Sequence, residues 1–532
     1  MQKLMLLGDE AIAQAGIDAG MSGIYAYPGT PSTEITEYVM HSKEARAKGV
    51  HAAWGANEKT AMEAALGMSY AGKRSMVCMK HVGLNVAADA FVNAAITGAN
   101  GGLVVVVADD PSMHSSQNEQ DSRFFGKFAM IPILEPANQQ EAYDMVFEGF
   151  DISERHNIPV MLRITTRLAH SRSGVQPKPA KEQNTIRIPS DPRQFILLPA
   201  NARRNYKKLL QNQVVFEELS DNSTFNFYKP GPDHSMGIIA CGISYNYLLE
   251  NYPDRKVPYP IVKVGQYPAP HNLIDQLYQE CEKILILEEG YPILEESLRG
   301  FLYTGKTIHG RLDGTLPRDG ELNPALVAKS LGMAVPAEVP MPSVVVPRPP
   351  SLCKGCPHIY SYNALNEALS VYAKGRVFSD IGCYTLGALD PFTAINTCVD
   401  MGASITMAKG AADAGFVPAV AVIGDSTFTH SGMTGLLDAI NDKSPITVII
   451  LDNATTAMTG GQNSSGTGKI EDICQALGVD PDHIHILNPL QKHHDENMKI
   501  MKQEIEYQGV SVIIPRRECI QTLAKKKKDE KK

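Results

Sequence analysis

The chain has 532 residues, of which 43% are hydrophobic and 20% are charged, and its formal net charge is −8. This balance is typical of a globular protein, and the mild acidity argues against nucleic acid as the main partner. The sequence contains no run of about 18 apolar residues and no cleavable signal pattern, so we expect a cytoplasmic protein without membrane spans. Its nine cysteines are then expected to be reduced thiols or metal ligands rather than disulfides.

Residues 1–170 alternate helical and strand patterns. GDEAIAQAGIDAG and NEKTAMEAALGMSYAG have helical patterns, whereas GGLVVVVADDPS is a short apolar strand with acids at its end. Short, wholly apolar strands between helices are typical of a parallel sheet that is covered on both faces. We therefore predict a doubly wound α/β domain over residues 1–170.

The remainder of the chain divides into a smaller and a larger part. Residues 171–345 begin with a linker-like stretch and a polar helix, and then form a smaller α/β unit from SMGIIACGIS to KILILEEGY. The Pro-rich segment 338–351 indicates an extended connector. Residues 346–532 alternate again through GRVFSDIG, AVAVIGDS, ITVIILDN and GVSVIIP, which predicts a second doubly wound sheet. The lysine-rich tail, Lys525 to Lys532, is predicted to be solvated and disordered.

The segment VIGDSTFTHSG has an unusual ending for a buried strand. Gly424 permits a tight turn, and Asp425 then presents a carboxylate just before a helix that we expect to begin near Ser431. Helix N-termini attract phosphate groups, so a carboxylate beside one requires a cation between the two. Mg²⁺ fits, because it takes oxygen ligands from one or two side chains and from phosphates.

The neighbouring strand, ITVIILDN, supplies further candidate ligands. Asn453 offers an amide oxygen and Thr455 a carbonyl oxygen, and 26 residues separate Ser426 from Asn453, enough for one helix and one strand. This arrangement resembles the thiamine diphosphate motif, in which Gly-Asp-Gly or Gly-Asp-Ser is followed some 25 to 30 residues later by Asn. The alternative is two ordinary strand-end turns.

Glu58 is the candidate acid for activating the cofactor. The resemblance to thiamine enzymes implies that a carboxylic acid from another α/β domain must protonate the aminopyrimidine so that the C2 proton can be removed. Glu58 begins the small-residue-rich helix NEKTAMEAALGMSYAG, where such an acid is expected. The alternative role is a first-turn acid that complements the helix dipole.

Several longer strings narrow the family. They are YPGTPSTEI, MKHVGLNVAADAF, DDPSMHSSQNEQDSR, LCKGCPH, SDIGCYTLG, TCVDMGASI and AMTGGQNSS. Together they resemble the 2-oxoacid:ferredoxin oxidoreductases, most of all the large subunits of the indolepyruvate type, over nearly all of residues 1–520. The resemblance implies a thiamine diphosphate-binding fold, in which two doubly wound parallel-sheet domains flank a smaller domain like the C-terminal domain of transketolase. The first domain (1–170) is then the pyrimidine-binding type, the middle one (171–345) holds no cofactor, and the last (346–532) binds the diphosphate and Mg²⁺.

Four cysteines occupy positions that the family uses for an iron–sulfur cluster. Cys353 and Cys356 form a C-x₂-C, Cys383 follows a predicted strand, and Cys519 lies near the end of the last domain. The resemblance implies one [4Fe–4S] cluster close to the thiamine; a zinc site and free structural thiols are the alternatives. The other cysteines lie in apolar patterns and are predicted to be core residues: Cys78, Cys241, Cys281, Cys398 and Cys474.

The substrate pocket is less well marked. The resemblance implies that Thr30, in YPGTPS, faces the 2-oxoacid, although turn formation alone would explain it. His81 and His358 are candidate pocket residues, but a lone histidine is more often structural. The stretch in which an arginine for the substrate carboxylate is expected reads DDPS instead. The residue that binds the substrate carboxylate is therefore left open.

The resemblance implies oxidative decarboxylation of an aryl 2-oxoacid, with transfer of the acyl group to coenzyme A. It also implies a small β subunit, an assembly such as α₂β₂, and a ferredoxin-type electron acceptor. The chain departs from the family in lacking the Cys-rich motif C-x₂-C-x₂-C-x₃-C-P of the C-terminal ferredoxin-like domain. That departure keeps two alternatives open: a non-oxidative thiamine-dependent decarboxylase or carboligase, and a non-catalytic subunit.

Overall fold

The computed structural model describes residues 3–187, 189–191, 193–301, 305–335, 341–346 and 350–529. The chain divides into two compact units, residues 1–339 and 340–532, and each is considered by itself. Residues 338–340 and 347–349 of the predicted connector 338–351 lie outside the described residues. None of the described helices combines the length and the apolar character that crossing a bilayer requires.

The strands of the first unit are short, and the central ones are fully buried. They are β1 (Leu4–Leu7), β2 (Gly23–Ala26), β3 (His51–Trp54), β4 (Ser75–Lys80), β5 (Leu103–Asp109), β6 (Ile133–Leu134), β7 (Val160–Thr165), β8 (Arg172–Val175), β9 (Phe227–Lys229), β10 (Gly237–Cys241), β11 (Ile261–Val264), β12 (Gln266–Tyr267), β13 (Ile284–Leu287) and β14 (Ile308–His309). Every residue of β5, LVVVVAD, is buried, as expected for a strand with helices on both sides.

Helices connect these strands and cover both faces of the first sheet. They are α1 (Gly8–Asp18), α2 (Thr33–His41), α3 (Lys43–Ala47), α4 (Glu58–Tyr70), α5 (His81–Thr97), α6 (Arg123–Ala129), α7 (Gln139–His156), α8 (Thr166–His170), α9 (Pro199–Asp221), α10 (Ser244–Glu250), α11 (His271–Glu280), α12 (Ile293–Arg299) and α13 (Pro324–Ser330). The Ala-rich helix α1 is buried over nearly its whole surface, because its small side chains allow neighbouring elements to pack closely.

The first sheet has the strand order β12-β6-β7-β5-β4-β2-β3 within the described residues. Its strands are parallel except for β12. β14, β13, β10, β11 and β9 form a second sheet in that order, parallel apart from the edge strand β9. The doubly wound pattern predicted for residues 1–170 is therefore present.

Buried charges join the two sheets of the first unit. Arg123, which is fully buried, lies 3.1 Å from Glu288 at the end of β13. Arg163 in β7 is also fully buried, and it pairs with Glu135 at 2.5 Å. Tyr267 in β12 donates a hydrogen bond of 2.6 Å to Glu135. A buried charge without its partner is costly, so this network holds the two sheets together.

The second unit is built on one parallel sheet. Its strands are β15 (Val377–Ser379), β16 (Ala419–Gly424), β17 (Ile446–Leu451), β18 (Thr455–Thr456), β19 (Gln462–Asn463), β20 (Ile484–Leu487) and β21 (Ser511–Pro515), and its helices are α14 (Pro357–Ala368), α15 (Ala403–Asp413), α16 (Asp425–Thr427), α17 (Met433–Asn441), α18 (Ile470–Leu477), α19 (His494–Glu506) and α20 (Ile520–Asp529). The sheet order is β15-β16-β17-β21-β20 among the described residues, and β18 pairs with β19 in a separate hairpin. Buried apolar side chains cover both faces of the sheet.

Three expectations need correction. The helix after β16 begins at Asp425, before the expected Ser431, because α16 runs through a π-helical turn into α17. The lysine-rich tail is exposed, as predicted, but it is helical up to residue 529, since Lys, Ala and Leu favour helix; Lys532 lies outside the described residues. Cys398 is exposed, so its assignment to the core was wrong.

Candidate active site

Two strand ends of the second unit lie side by side. β16 and β17 are parallel neighbours, with Gly424 opposite Leu451, so Asp425 and Asp452 follow adjacent strands. A side chain at position 424 would not fit, because a Cβ there would stand 2.6 Å from Tyr384 Cε1. The glycine thus lets the ring of Tyr384 pack against the backbone where the strand ends. This is the edge at which open α/β sheets bind ligands.

Asp425 is a buried carboxylate with an unused acceptor. Its Oδ2 has no hydrogen-bond partner among the described residues, although the nearby Ser464 side chain lowers the pKa of the carboxylate. Burial, and then the charge of Asp452, raises the pKa of Asp425 to about 7. Asp452 is itself neutralised by Arg516 at 2.7 Å. A buried oxygen without a donor fits a bound cation, which would favour the ionised form of the carboxylate.

Asn453 and Thr455 form a tight loop after β17. Both are buried, and Asn453 Oδ1 accepts a hydrogen bond of 3.2 Å from the Thr455 backbone N–H. An amide oxygen has two lone pairs, so one remains for a metal. The Thr455 hydroxyl donates to the carbonyl of Gln462 at 2.9 Å, and the Ser426 hydroxyl lies 2.8 Å from that of Thr456. The loop after β17 is thereby fixed to the turn that contains Ser426.

His358 lies against this loop. Its ring is buried, and Nε2 is 3.4 Å from Asn453 Nδ2. Burial lowers the pKa of His358 to about 4, so the ring is neutral at pH 7 and its Nε2 can accept a hydrogen bond from the Asn453 side-chain N–H. The structure therefore brings this histidine next to a predicted metal ligand, whereas the sequence offered only a lone His.

The thiols of Cys356 and Cys383 are both influenced by the charges of the other cysteines in the predicted cluster. Burial, followed by the neighbouring sulfurs, raises the pKa of Cys383 to about 12, and Cys356 has a pKa of about 11 for the same reasons. No three Cys, His or carboxylate ligand atoms that include these sulfurs lie within 4.8 Å of one another in the described ranges. Tetrahedral zinc with Zn–S bonds of about 2.3 Å would hold sulfurs about 3.8 Å apart. The described sulfurs are therefore not arranged as in a closed tetrahedral zinc site.

Local hydrogen bonds position these cysteines. The Cys519 backbone N–H donates to the Asn453 carbonyl at 3.1 Å, and Cys356 N–H donates to the Cys353 carbonyl at 2.9 Å in the C-x₂-C turn. Gln521 Nε2 lies 3.5 Å from Cys353 Sγ. Of the remaining cysteines, four are buried as predicted: Cys78, Cys241, Cys281 and Cys474.

Glu58 is the first residue of α4, in the first unit. The Asn57 side chain caps this helix by accepting from the Thr60 N–H at 2.8 Å. Glu58 is buried, and α5 packs tightly on it, because a Cβ at Gly83 would stand 2.5 Å from Glu58 Oε1. Such a buried acid at a fixed position can hold a proton on a ligand that enters this edge of the sheet.

Thr30 and His81 lie at the same sheet edge as Glu58, after β2 and β4. Thr30 is half-buried, and its carbonyl accepts from the Ser115 hydroxyl at 3.3 Å. His81 is buried; Nε2 is 3.2 Å from the Asn118 carbonyl, while Nδ1 has no partner in the part of the chain that the structure describes.

Sequence reasoning missed Ser464, whose side chain lies close enough to Asp425 to lower the pKa of that carboxylate. Ser464 is buried and follows the β18–β19 hairpin. The clustering of Gly, Asn and Ser in GGQNSSG signals a loop, but nothing local shows that this loop returns to β16.

Comparison with protein families covers both units. Residues 14–220 match the family "Pyruvate flavodoxin/ferredoxin oxidoreductase, thiamine diP-bdg". Residues 380–513 match "Thiamine pyrophosphate enzyme, C-terminal TPP binding domain". The predicted thiamine diphosphate-binding α/β fold is thereby confirmed, and so is thiamine diphosphate as the cofactor of this family.

Curated relatives match almost the whole chain. Indolepyruvate oxidoreductase subunit IorA of Archaeoglobus fulgidus is 38% identical, over 97% of this chain and 86% of the relative. The IorA subunit of Pyrococcus abyssi is 39% identical with the same two coverages. A solved structure, the 2-oxoglutarate:ferredoxin oxidoreductase from Magnetococcus marinus with 2-oxoglutarate, coenzyme A and succinyl-CoA bound, is 17% identical with a TM-score of 0.51, covering 62% of this chain and 65% of that one; it supports the fold alone. By these matches, the chain belongs to the 2-oxoacid:ferredoxin oxidoreductases, in the group of the indolepyruvate oxidoreductase IorA subunits.

Proposed function

We propose that the protein is the catalytic large subunit of an enzyme that oxidatively decarboxylates an aryl 2-oxoacid of the indolepyruvate type. The acyl group passes to coenzyme A, and the electrons pass through an iron–sulfur cluster to a ferredoxin-type acceptor. The names of the IorA relatives support the substrate class. Electron transfer is supported by the four thiols gathered beside the Asn453 loop, and this observation carries the proposal.

Each part of the chain has a proposed role. Residues 1–170 form the pyrimidine-binding type of domain, residues 171–345 contain the linker and the transketolase C-terminal-like domain, and residues 346–532 bind the diphosphate and Mg²⁺. The two family matches support the first and last of these roles.

Asp425, Asn453 and Thr455 are the proposed Mg²⁺ ligands, with the Thr455 carbonyl as the third. The unpartnered Oδ2 of Asp425 fits this role, and so does the Asn453 amide oxygen, which accepts only one hydrogen bond from the described residues. Gly424 and Ser426 form the turn into α16, whose N-terminal N–H groups are suited to the diphosphate. When bound, thiamine diphosphate supplies the carbon nucleophile and takes up the electron pair left by CO₂.

Glu58 is the proposed acid of the reaction. Glu58 is held between its own capped helix and Gly83, and its burial excludes water. Its carboxyl group would keep a proton at the aminopyrimidine nitrogen of bound thiamine diphosphate. Thr30 is the proposed contact for the 2-oxoacid, through a hydroxyl at the carboxyl edge of the same sheet.

Cys353, Cys356, Cys383 and Cys519 are the proposed ligands of one [4Fe–4S] cluster. The thiols of Cys356 and Cys383 are influenced by the charges of the other two, and the described sulfurs do not form the close group of a tetrahedral ion site. We further propose a small β subunit, an assembly such as α₂β₂, and a cytoplasmic location, all by analogy with the family.

The test is an assay of the anaerobically purified holoenzyme. We expect iron, broad visible absorption, and reduction of viologen that requires both the aryl 2-oxoacid and coenzyme A. Release of the aldehyde with no viologen reduction would indicate a non-oxidative decarboxylase instead. Iron-free protein that neither binds thiamine diphosphate nor turns over a 2-oxoacid would indicate a non-catalytic subunit.

A further inference from the structure

Lys80 occupies a central position at the carboxyl edge of the first sheet. It is the last residue of β4, which lies between β2 and β5. The loop with Thr30 follows β2, and Asp110 follows β5. Ligands of open α/β sheets bind beyond these strand ends, so Lys80 lies where a substrate would enter.

The Lys80 ammonium group has spare hydrogen-bond donors. Its Nζ donates to the Ser115 carbonyl at 3.0 Å, and the Ser115 hydroxyl donates to the Thr30 carbonyl at 3.3 Å. The group forms no ion pair with a carboxylate in the described ranges. Since an ammonium group has three donors, two remain for a ligand.

The surroundings keep this cation in place without neutralising it. The Lys80 stem packs on the backbone at Gly29, where a Cβ would be 3.3 Å from Lys80 Cδ. Asp110 is already occupied, because it accepts from the Ser115 N–H at 2.8 Å, the Ser116 hydroxyl at 2.7 Å and the Thr166 hydroxyl at 2.7 Å. Burial lowers the pKa of Lys80, while Asp110 and Glu58 favour its charged form.

We propose that Lys80 binds the carboxylate of the 2-oxoacid, an assignment that rests on the proposed function. The segment DDPS, after β5, contains no arginine for that carboxylate. Lys80, on the neighbouring strand, offers the missing positive charge with two donors, close to the Thr30 loop. It would hold the acid end of the substrate at the carboxyl edge of the first sheet.

The experiment compares Lys80→Met, Lys80→Arg and Lys127→Met in the holoenzyme. Lys127 is an exposed lysine in α6 and serves as the matched control. We expect Lys80→Met to raise the KM for the aryl 2-oxoacid by roughly tenfold to hundredfold, the range for losing a hydrogen bond to a charged group. The KM for coenzyme A and the C2 proton exchange of bound thiamine diphosphate should stay unchanged. Lys80→Arg should recover most of the loss, and Lys127→Met should resemble the wild type.

Two further results keep this proposal separate from the proposed function. If the wild type fails to bind thiamine diphosphate or to oxidise any 2-oxoacid, the function itself is wrong. If the wild type is active but Lys80→Met keeps its KM for the 2-oxoacid, or changes only that for coenzyme A, the assignment of Lys80 is overturned. If circular dichroism shows that Lys80→Met is unfolded, Lys80→Gln replaces it and is judged by the same criteria. The glutamine side chain keeps a donor for the Ser115 carbonyl.

Discussion

The backbone N–H of Cys519 donates a 3.1 Å hydrogen bond to the carbonyl of Asn453. The chain after β21 thereby continues its parallel pairing with the chain after β17, since Asp452 and Arg516 also form a bridge. One proposed cluster ligand and one proposed Mg²⁺ ligand therefore share a hydrogen-bond ladder. A change in either site is expected to be transmitted to the other through this ladder.

Replacing Cys383 by Ser should remove iron and abolish viologen reduction, because serine is a poor substitute for a thiolate ligand. Cys398→Ser is the matched control, since Cys398 is an exposed cysteine outside the set of four. Iron content and the visible spectrum of anaerobic protein are the measurements. Wild-type iron in Cys383→Ser, or an equal loss in Cys398→Ser, would refute the assignment of the cluster ligands.

Asp425→Ala should weaken Mg²⁺-dependent binding of thiamine diphosphate, because it removes an anionic ligand. The loss should exceed the roughly 10- to 100-fold that follows removal of an outer partner of a metal site. Isothermal titration with and without Mg²⁺ measures it, with Asp438→Ala, an exposed acid on α17, as control. An unchanged affinity in Asp425→Ala would exclude Asp425 as a metal ligand.

Glu58→Gln should bind the cofactor but lose the exchange of the C2 proton, because a neutral amide cannot supply a proton to the pyrimidine. Hydrogen–deuterium exchange at C2, followed by NMR, tests this. Glu63→Gln on the exposed face of the same helix should exchange like the wild type. Wild-type exchange of the C2 proton in Glu58→Gln would exclude Glu58 as the activating acid. Its remaining role would be that of a first-turn acid that complements the helix dipole.

Asp9→Asn should stabilise the protein at neutral pH, because a neutral amide avoids the cost of burying an ionisable carboxyl group, about 1.4 kcal/mol for each unit by which the pKa is raised. Asp9 is fully buried, and neither of its oxygens has a hydrogen-bond partner among the described residues. Burial, and then the charge of Glu34, raises its pKa well above 3.8. Between the unfolded and folded pKa values the folded state binds more protons, so stability falls as pH rises through this window. The stabilisation by Asn should therefore shrink as pH falls to 3.8 and below.

Asp18→Asn is the control for that variant. Asp18 lies in the same helix and is also buried, but it accepts from Gln14 at 3.0 Å and from Tyr143 at 2.5 Å, so its replacement should not stabilise. Chemical denaturation of both variants gives the comparison. Asp9, Glu34 and His170 place ligand atoms within 4.8 Å of one another. Destabilisation by Asp9→Asn, together with stabilisation of the wild type by a divalent cation, would show that Asp9 works as a metal ligand instead.

Local patterns predicted much of this structure. The apolar strands that end at Gly424 and Leu451 were evident from the sequence, and parallel pairing then requires the residues that follow to lie at one edge. Other features depend on tertiary packing. Ser464 lies near Asp425 only because the β18–β19 hairpin returns the chain to β16. Lys80 has no carboxylate partner because Asp110 is already hydrogen-bonded by other groups, which are Ser115, Ser116 and Thr166. The sequence around Cys398 predicted a core position, yet this cysteine is exposed in a surface loop.

β12 forms the edge strand of a sheet whose other strands all lie within the first 170 residues. A fragment cut near residue 170 would leave β6 as an open strand edge, a known route to aggregation, and would deprive Arg123 of Glu288. Expressing that fragment alone should therefore yield insoluble material, whereas a fragment of residues 1–335 keeps both sheets and the buried charge network. Any attempt to reconstitute the enzyme from separate pieces should divide the chain after the second sheet.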